Sequence, residues 1–345
     1  MQRRFRWLII LVVAVCVLWT GAWYYAASFA GKAADAWIAK QASDGRNWTC
    51  VEREIGGFPF RMLIRCKSLA FEGPVRGGMV KLTTGSVRAI AQIYNPKLIL
   101  AEVDGPLKLA LPGGDKTMEA TWTTLRASVR AAKPVPERIS VRVEKLAAQF
   151  RSATGVQETI AIADAEFHLR PAPDVKADFG ATDLAVLINM AESGSANRLT
   201  GEAAPVNASI VSRITRAPLL LSGPRNQRLE QWRLGNGVLT LQNSRITKGP
   251  LQIDANGQLK LDDEHRPSGK INLRAAGVGG VLKKFGLPDI SAAGGLLGGL
   301  LGNRNKAKPD DREKPKAFIP LPLVLQDGNL QIGPFRTGVR IKPLY

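Results

Sequence analysis

The chain reads as a mostly-β protein: an N-terminal transmembrane helix, then a large twisted antiparallel sheet or open barrel-like groove with a few short helices. Three observations predict this. An apolar run extends from Trp7 to about Ala30, interrupted only by Thr20 and Ser28. Beyond it, apolar and polar residues alternate with period two in one segment after another. Between those segments fall clusters of Gly, Pro, Asn and Asp, the residues that turn a chain.

The apolar run suits a membrane crossing, because about 20 helical residues at about 1.5 Å each traverse the hydrocarbon layer. Arg3, Arg4 and Arg6 precede it, and Lys32 beyond it is answered by Asp35. The positive-inside bias then holds residues 1–6 as a cytoplasmic tail and places the remainder across the membrane. Trp7 at one end, and Trp19, Trp23, Tyr24 and Tyr25 at the other, are the expected headgroup-level anchors. A cleaved secretory signal ending at the small residues Ser28 and Ala30 is the competing reading. Its apolar region would be about 7–15 residues, shorter than this one, so an uncleaved anchor is favoured. The crossing is set at 7–27. Residues 28–44 form a juxtamembrane helix, since Ala33, Ala34, Trp37, Ile38 and Gln41 share one face. Everything from 45 to 345 is an exported β-rich domain of the inner membrane's periplasmic side, with a possible sub-boundary near 224.

Cys50 and Cys66 stand equally far from Phe58, in a stretch broken by Gly56-Gly57 and Pro59. A hairpin folded about Phe58 would bring them face to face, and an exported pair of thiols is expected to be bonded. A catalytic dithiol is the alternative, but the spacing is not Cys-x-x-Cys and no His is near. Cys16, inside the apolar run, is expected to be inert.

Strands follow. Leu107, Leu109 and Leu111 alternate with Lys108 and Ala110; Ile139, Val141 and Val143 alternate with Ser140 and Arg142. Leu259 and Leu261 flank Lys260, and Ile271, Leu273 and Ala275 alternate with Asn272 and Arg274. Each describes a strand with one apolar and one wet face. The run from Gly237 to Ala275 reads as a meander, with Asn256-Gly257 closing a hairpin and Pro267-Ser268-Gly269 a turn. Short helices are expected at 182–191 and 277–286. Residues 291–317, Gly- and Leu-rich and then dense in Lys, Asp and Pro, read as a flexible loop.

Chemistry is scarce. There are 2 His and 3 Cys, no nucleophile elbow, no phosphate loop and no His-Glu-x-x-His, so no metal or cofactor is expected. His168 reads as a sheet residue and His265 as part of a solvated turn, Asp262 to Arg266. The formal net charge of +19 favours anionic partners. Export and the scatter of basic residues argue against nucleic acid, and anionic phospholipid fits better.

The Trp-Tyr-Tyr end of the apolar run, the helix at 33–38, and Cys50 through Gly56-Gly57-Phe58-Pro59-Phe60-Arg61 to Cys66 resemble an uncharacterised Gram-negative bacterial family, catalogued as a domain of unknown function. The likeness continues at Gln231-Trp232-Arg233, Ala255-Asn256-Gly257-Gln258-Leu259, Arg266-Pro267-Ser268-Gly269 and Asp327-Gly328. More loosely, an anchor followed by exported strands resembles AsmA-like envelope proteins, which implies a curved sheet groove facing lipid chains. The leading expectation is therefore non-enzymatic lipid handling in envelope maintenance. Leu107, Leu109, Leu111, Leu259, Leu261, Ile271 and Leu273 are the candidate lipid contacts, on one face. A scaffold binding envelope proteins is the second expectation, and a hydrolase of an envelope polymer the third.

Overall fold

The computed structural model describes residues 2–75, 78–132, 136–172, 180–220, 225–279, 318–333 and 335–345. It is mostly β, with antiparallel pairing throughout, and divides into two compact units: Met1–Ala131 with Val143–Thr159, and Ala132–Arg142 with Ile160–Tyr345. The sub-boundary expected near 224 lies outside the described residues.

The first unit opens with α1 (Gln2–Ser43), a single helix that fuses the expected crossing and juxtamembrane segments. It is long and apolar enough to cross a membrane. Ten strands follow: β1 (Asn47–Val51), β2 (Glu54–Gly56), β3 (Arg61–Cys66), β4 (Ser68–Val75), β5 (Gly78–Thr84), β6 (Val87–Gln92), β7 (Asn95–Val103), β8 (Leu107–Ala110), β9 (Thr117–Thr121) and β10 (Thr124–Arg130). β11 (Arg138–Ser152) and β12 (Gly155–Pro171) contribute residues to both units.

Two runs of paired strands build this unit. One is β1, β4, β5, β8, β9, β11; the other is β2, β3, β6, β7, β10. Directly opposed residues share a sheet face. In the first run that places Trp48, Phe71, Leu82, Leu109, Met118 and Phe150 in one apolar row. The next row on that face holds Leu107, Ala120 and Ala148, the two alanines nearly fully buried. The upper part of α1 packs here: Trp37 tilts onto Trp48 at 5.8 Å between ring centroids, and Trp48 onto Phe71 at 4.5 Å. Arg53 binds Asp35 of the helix at 2.7 Å.

The Cys50–Cys66 disulfide is present, with the Cα atoms 5.2 Å apart. Its setting differs from the expected hairpin. Cys50 on β1 faces Leu69 of β4, and Cys66 on β3 faces Val87 of β6, while the short β2 takes the place opposite β3. The bond therefore ties the two runs of strands together, a longer-range role than closing one turn.

The second unit carries β13 (Thr182–Ser193), α2 (Gly194–Thr200), β14 (Val206–Ile214), α3 (Arg225–Leu234), β15 (Leu239–Lys248), β16 (Leu251–Leu261), β17 (Pro267–Ala276), β18 (Ile319–Gln326), β19 (Asn329–Ile332) and β20 (Phe335–Arg340). Each strand from β12 to β20 pairs with the next in sequence, the expected meander extended over nine strands. Register shifts within β13–β14, β14–β15 and β15–β16 mark bulges, which add local twist.

Four local expectations are corrected. Residues 182–191 form β13, because hydrogen-bonding partners on both sides outweigh a modest helical pattern. Asn256-Gly257 lies in mid-strand, not at a hairpin. Gly257 has φ +154°, and a Cβ there would come within 2.2 Å of the Lys270 carbonyl, so glycine here permits close approach of β17. Pro267-Ser268-Gly269 begins β17, and the true turn is Asp262 to Arg266. Leu111 falls beyond β8, in the turn that its N–H closes onto the Lys116 carbonyl. Residues 280–286 of the helix expected at 277–286, and the loop at 291–317, lie outside the described residues.

Since the disulfide spans 16 residues, the chain-entropy model assigns it about 3 kcal/mol. The double variant Cys50→Ala/Cys66→Ala should lower the urea midpoint of the first unit's unfolding by that stability. Reductant should do the same to the native chain and leave the variant unmoved.

Candidate functional site

The registers of β12 to β20 sort the second unit's side chains onto two faces of opposite character. One row runs Pro171, Thr182, Ile214, Leu239, Leu259, Gly269, Leu325, Leu330. Beside it runs Leu169, Leu184, Ser212, Leu241, Gly257, Ile271, Leu323, Ile332. Further along the strands, Phe167 faces Val186, Leu273 faces Leu321, and Ile246 faces Ile253, which faces Ala275. Of the expected contacts, Leu259, Leu261, Ile271 and Leu273 thus share this face. Leu107 and Leu109 share a face of the first unit instead, and Leu111 lies in its turn.

Among the described residues no large side chain is fully buried, and the leucines and isoleucines of these rows are half-buried. The nearest approach to a packed core is Leu251, Ala275 and Val278, with Ile253, Ile319 and Leu321 against them. At that end Lys248, only 2% exposed, donates from Nζ to Asn197 Oδ1 at 2.6 Å and to the Ala204 carbonyl, holding α2 in place. Sequence reading missed it, since Lys248 looks like any strand-end lysine.

The opposite face is a lattice of ion pairs. Arg213 grips Asp183 with two hydrogen bonds, at 2.7 and 3.2 Å. Arg245 binds Asp254 at 2.6 Å and holds its carboxyl below the usual range. Arg142 binds Asp164 at 2.8 Å, and His168 bridges Ser140 and Glu166 at 3.0 and 2.8 Å. Such partly exposed pairs contribute little stability each, but they keep this face in water. Where Gly257 and Gly269 let β16 and β17 approach, a depression of about 490 Å³ opens, lined by Val238 and Leu259 together with Gln258, Lys260, Ser268 and Lys270.

A second cluster sits where α3 meets the turn at 262–266 and the last residue. Glu230 accepts the Tyr345 hydroxyl at 2.7 Å and two hydrogen bonds from Arg233, at 2.9 and 2.8 Å. Arg233 also reaches Asp263 at 2.9 Å, and His265 stacks on the Tyr345 ring at 4.4 Å. The turn expected to be merely solvated is therefore a clasp on residue 345. Its partners lie up to 115 residues apart, which no local pattern reveals. Chiefly because Arg233 and Tyr345 donate to it, the Glu230 carboxyl is held at about 2. It stays ionised near neutrality and cannot serve there as a general acid. Burial, and the bond to the Glu230 carboxylate, push the Tyr345 phenol up to about 12. Among the described residues no group of three or more His, Cys, Asp and Glu could hold a metal ion.

The clasp should therefore weaken at both pH extremes. Glu230's part is present above its ordinary value of 4.5 and lost as pH falls toward about 2. Tyr345's part is present below its ordinary value of 10.0 and lost as pH rises toward about 12. In an absorbance titration the Tyr345 phenolate should form late, and Tyr345→Phe should remove that late step. A Tyr345→Phe protein that keeps it would contradict the clasp.

The geometry can be set beside known proteins. No curated protein and no solved structure matches the chain. A family model described as an uncharacterized protein conserved in bacteria (DUF2125) matches residues 23–339, from the buried Trp23 of α1 to the last strand. The chain belongs to that family.

Proposed function

We propose that this protein is tethered to the inner membrane by α1, with residues beyond it in the periplasm, and that the second unit's apolar sheet face handles lipid without covalent chemistry. One observation carries this reading: half-buried aliphatic side chains predominate in rows across the strands from β12 to β19, while the reverse face is wet and charged. Burying a methylene is worth about 0.8 kcal/mol, so a dozen acyl carbons laid along such rows supply on the order of 10 kcal/mol before ordering costs. The disulfide supports export to an oxidising compartment, and Arg3, Arg4 and Arg6 support a cytoplasmic N-terminus. The charge of +19 favours anionic phospholipid. We extend this reading to envelope maintenance, the role that the expected resemblance to AsmA-like envelope proteins would imply. A hydrolase gains no support: Asp164, Asp183, Glu230, Asp254 and Asp262 each engage an arginine.

A scaffold for envelope proteins is the second reading. It rests on β20, whose only ladder partner among the described residues is β19, so one of its edges could accept a strand from another chain.

A photocrosslinking amino acid decides between them. Placed at Leu273, it should capture phospholipid in intact cells, whereas at the neighbouring Asn272, on the other face, it should not. Equal lipid capture at both positions, or none at Leu273, would count against the groove. A protein adduct at Val339 on β20 would favour the scaffold.

A further inference from the structure

The sequence between the two cysteines, Gly56-Gly57-Phe58-Pro59-Phe60-Arg61, is the turn joining β2 to β3, and it does not stand off in solvent. Trp23 of α1 is 6% exposed and meets the Phe58 ring edge-on at 5.5 Å. Its indole N–H donates to the Arg61 carbonyl at 3.0 Å, and Trp19's donates to the Pro59 carbonyl at 3.0 Å. The turn is thus fastened to helix positions 19 and 23, both within the apolar run that ends near Ala30.

Helical rise converts those positions into depth. Trp7 to residue 27 spans about 30 Å, the thickness of the hydrocarbon layer. Trp23 then lies about 6 Å, and Trp19 about 12 Å, inside the face nearer the sheets, deeper than the headgroup level expected of them from the sequence. Raising the helix until Trp19 reached that face would draw Arg3, Arg4 and Arg6 into hydrocarbon, which is costly.

Several features of the turn suit such a place. A backbone in lipid must satisfy its own polar groups. Here the carbonyls of Gly57, Pro59, Phe60 and Arg61 accept from Arg61 N–H, Trp19, Ile93 N–H and Trp23 respectively, and Pro59 has no N–H to satisfy. Phe58 and Phe60 nevertheless remain 50% and 60% exposed, an arrangement suited to apolar surroundings. Beside them the β6–β7 turn presents Tyr94, 74% exposed. Arg61 and Lys97, both exposed, stand just behind these tips, where phosphate headgroups would meet them.

We propose that the turn Gly57-Phe58-Pro59-Phe60 is immersed in the bilayer alongside α1, in the leaflet on the sheets' side, with Tyr94 at its boundary. This rests on the tether reading above and goes beyond it: the first unit grips the membrane at a second point, so its sheet is held at a fixed height and cannot swing on a single helix.

The test uses the full chain in phosphatidylcholine–phosphatidylglycerol vesicles, carrying one environment-sensitive label at a time. Native Cys16 reports the helix. In a Cys16→Ser background, Phe60→Cys and Tyr94→Cys report the tips, and Val156→Cys, exposed at the start of β12, reports water. Labels at 60 and 94 should be quenched by spin-labelled lipid and several-fold less by aqueous iodide than the label at 156. Iodide access at both 60 and 94 equal to that at 156, with Cys16 still quenched by lipid, overturns the immersed turn and leaves the tether standing. Iodide access at Cys16 as well overturns both.

Discussion

A sheet whose one side is aliphatic over several consecutive strands cannot leave that side facing water. The rows through Leu259, Ile271, Leu323 and Ile332 impose this constraint on the second unit, and the rest of its construction follows from it. The reverse face spends its polar side chains on cross-strand pairs such as Arg213–Asp183 and Arg245–Asp254, which keep it soluble without knitting a core. The helices stay at the margins: α2 caps the strand ends by way of the buried Lys248, and α3 is pinned by Trp232, whose indole donates to the Thr215 carbonyl at 2.8 Å.

The first unit obeys a different constraint. Its strands are short, and they gain order from three attachments: the Cys50–Cys66 bond between two runs of strands, the Trp37–Trp48–Phe71 stack, and the tryptophan bonds from α1 to the Gly-Phe-Pro-Phe turn. All three engage the helix or the segment that immediately follows it. An apolar helix, a cross-link and an aromatic turn are concentrated within the first 71 residues.

Much of this was legible in the residues, where the pattern was local. The apolar run is a single continuous helix, the period-two segments at 139–144, 251–254, 259–261 and 271–275 are strands, the one expected at 107–111 is a strand as far as Ala110, and the two cysteines are bonded. The misreadings share a physical cause. Thr182 to Ala191 looked helical and Asn256-Gly257 looked like a turn because each was judged without its neighbours, and cross-strand partners decide both. The conformational freedom of Gly257 serves a close strand approach and not the expected hairpin turn. Leu259, Leu261, Ile271 and Leu273 share a face, since strand parity is a local property, but Leu107 and Leu109 belong to the other unit and Leu111 to a turn, so the single face expected of all seven is not formed. Which face lies beside which strand depends on register, and that had to come from the fold. The Tyr345 clasp and buried Lys248 left no local signal at all, because their partners are brought together only by folding.

The most direct measurement is native mass spectrometry of the full-length protein released from nanodiscs of native lipid. Retained phospholipid on the folded chain, lost when Ile271 and Leu273 are both replaced by glutamate in a variant that still folds, is the expected result. A folded protein that emerges at its bare polypeptide mass under the gentlest release conditions would contradict an acyl-chain-bearing sheet face.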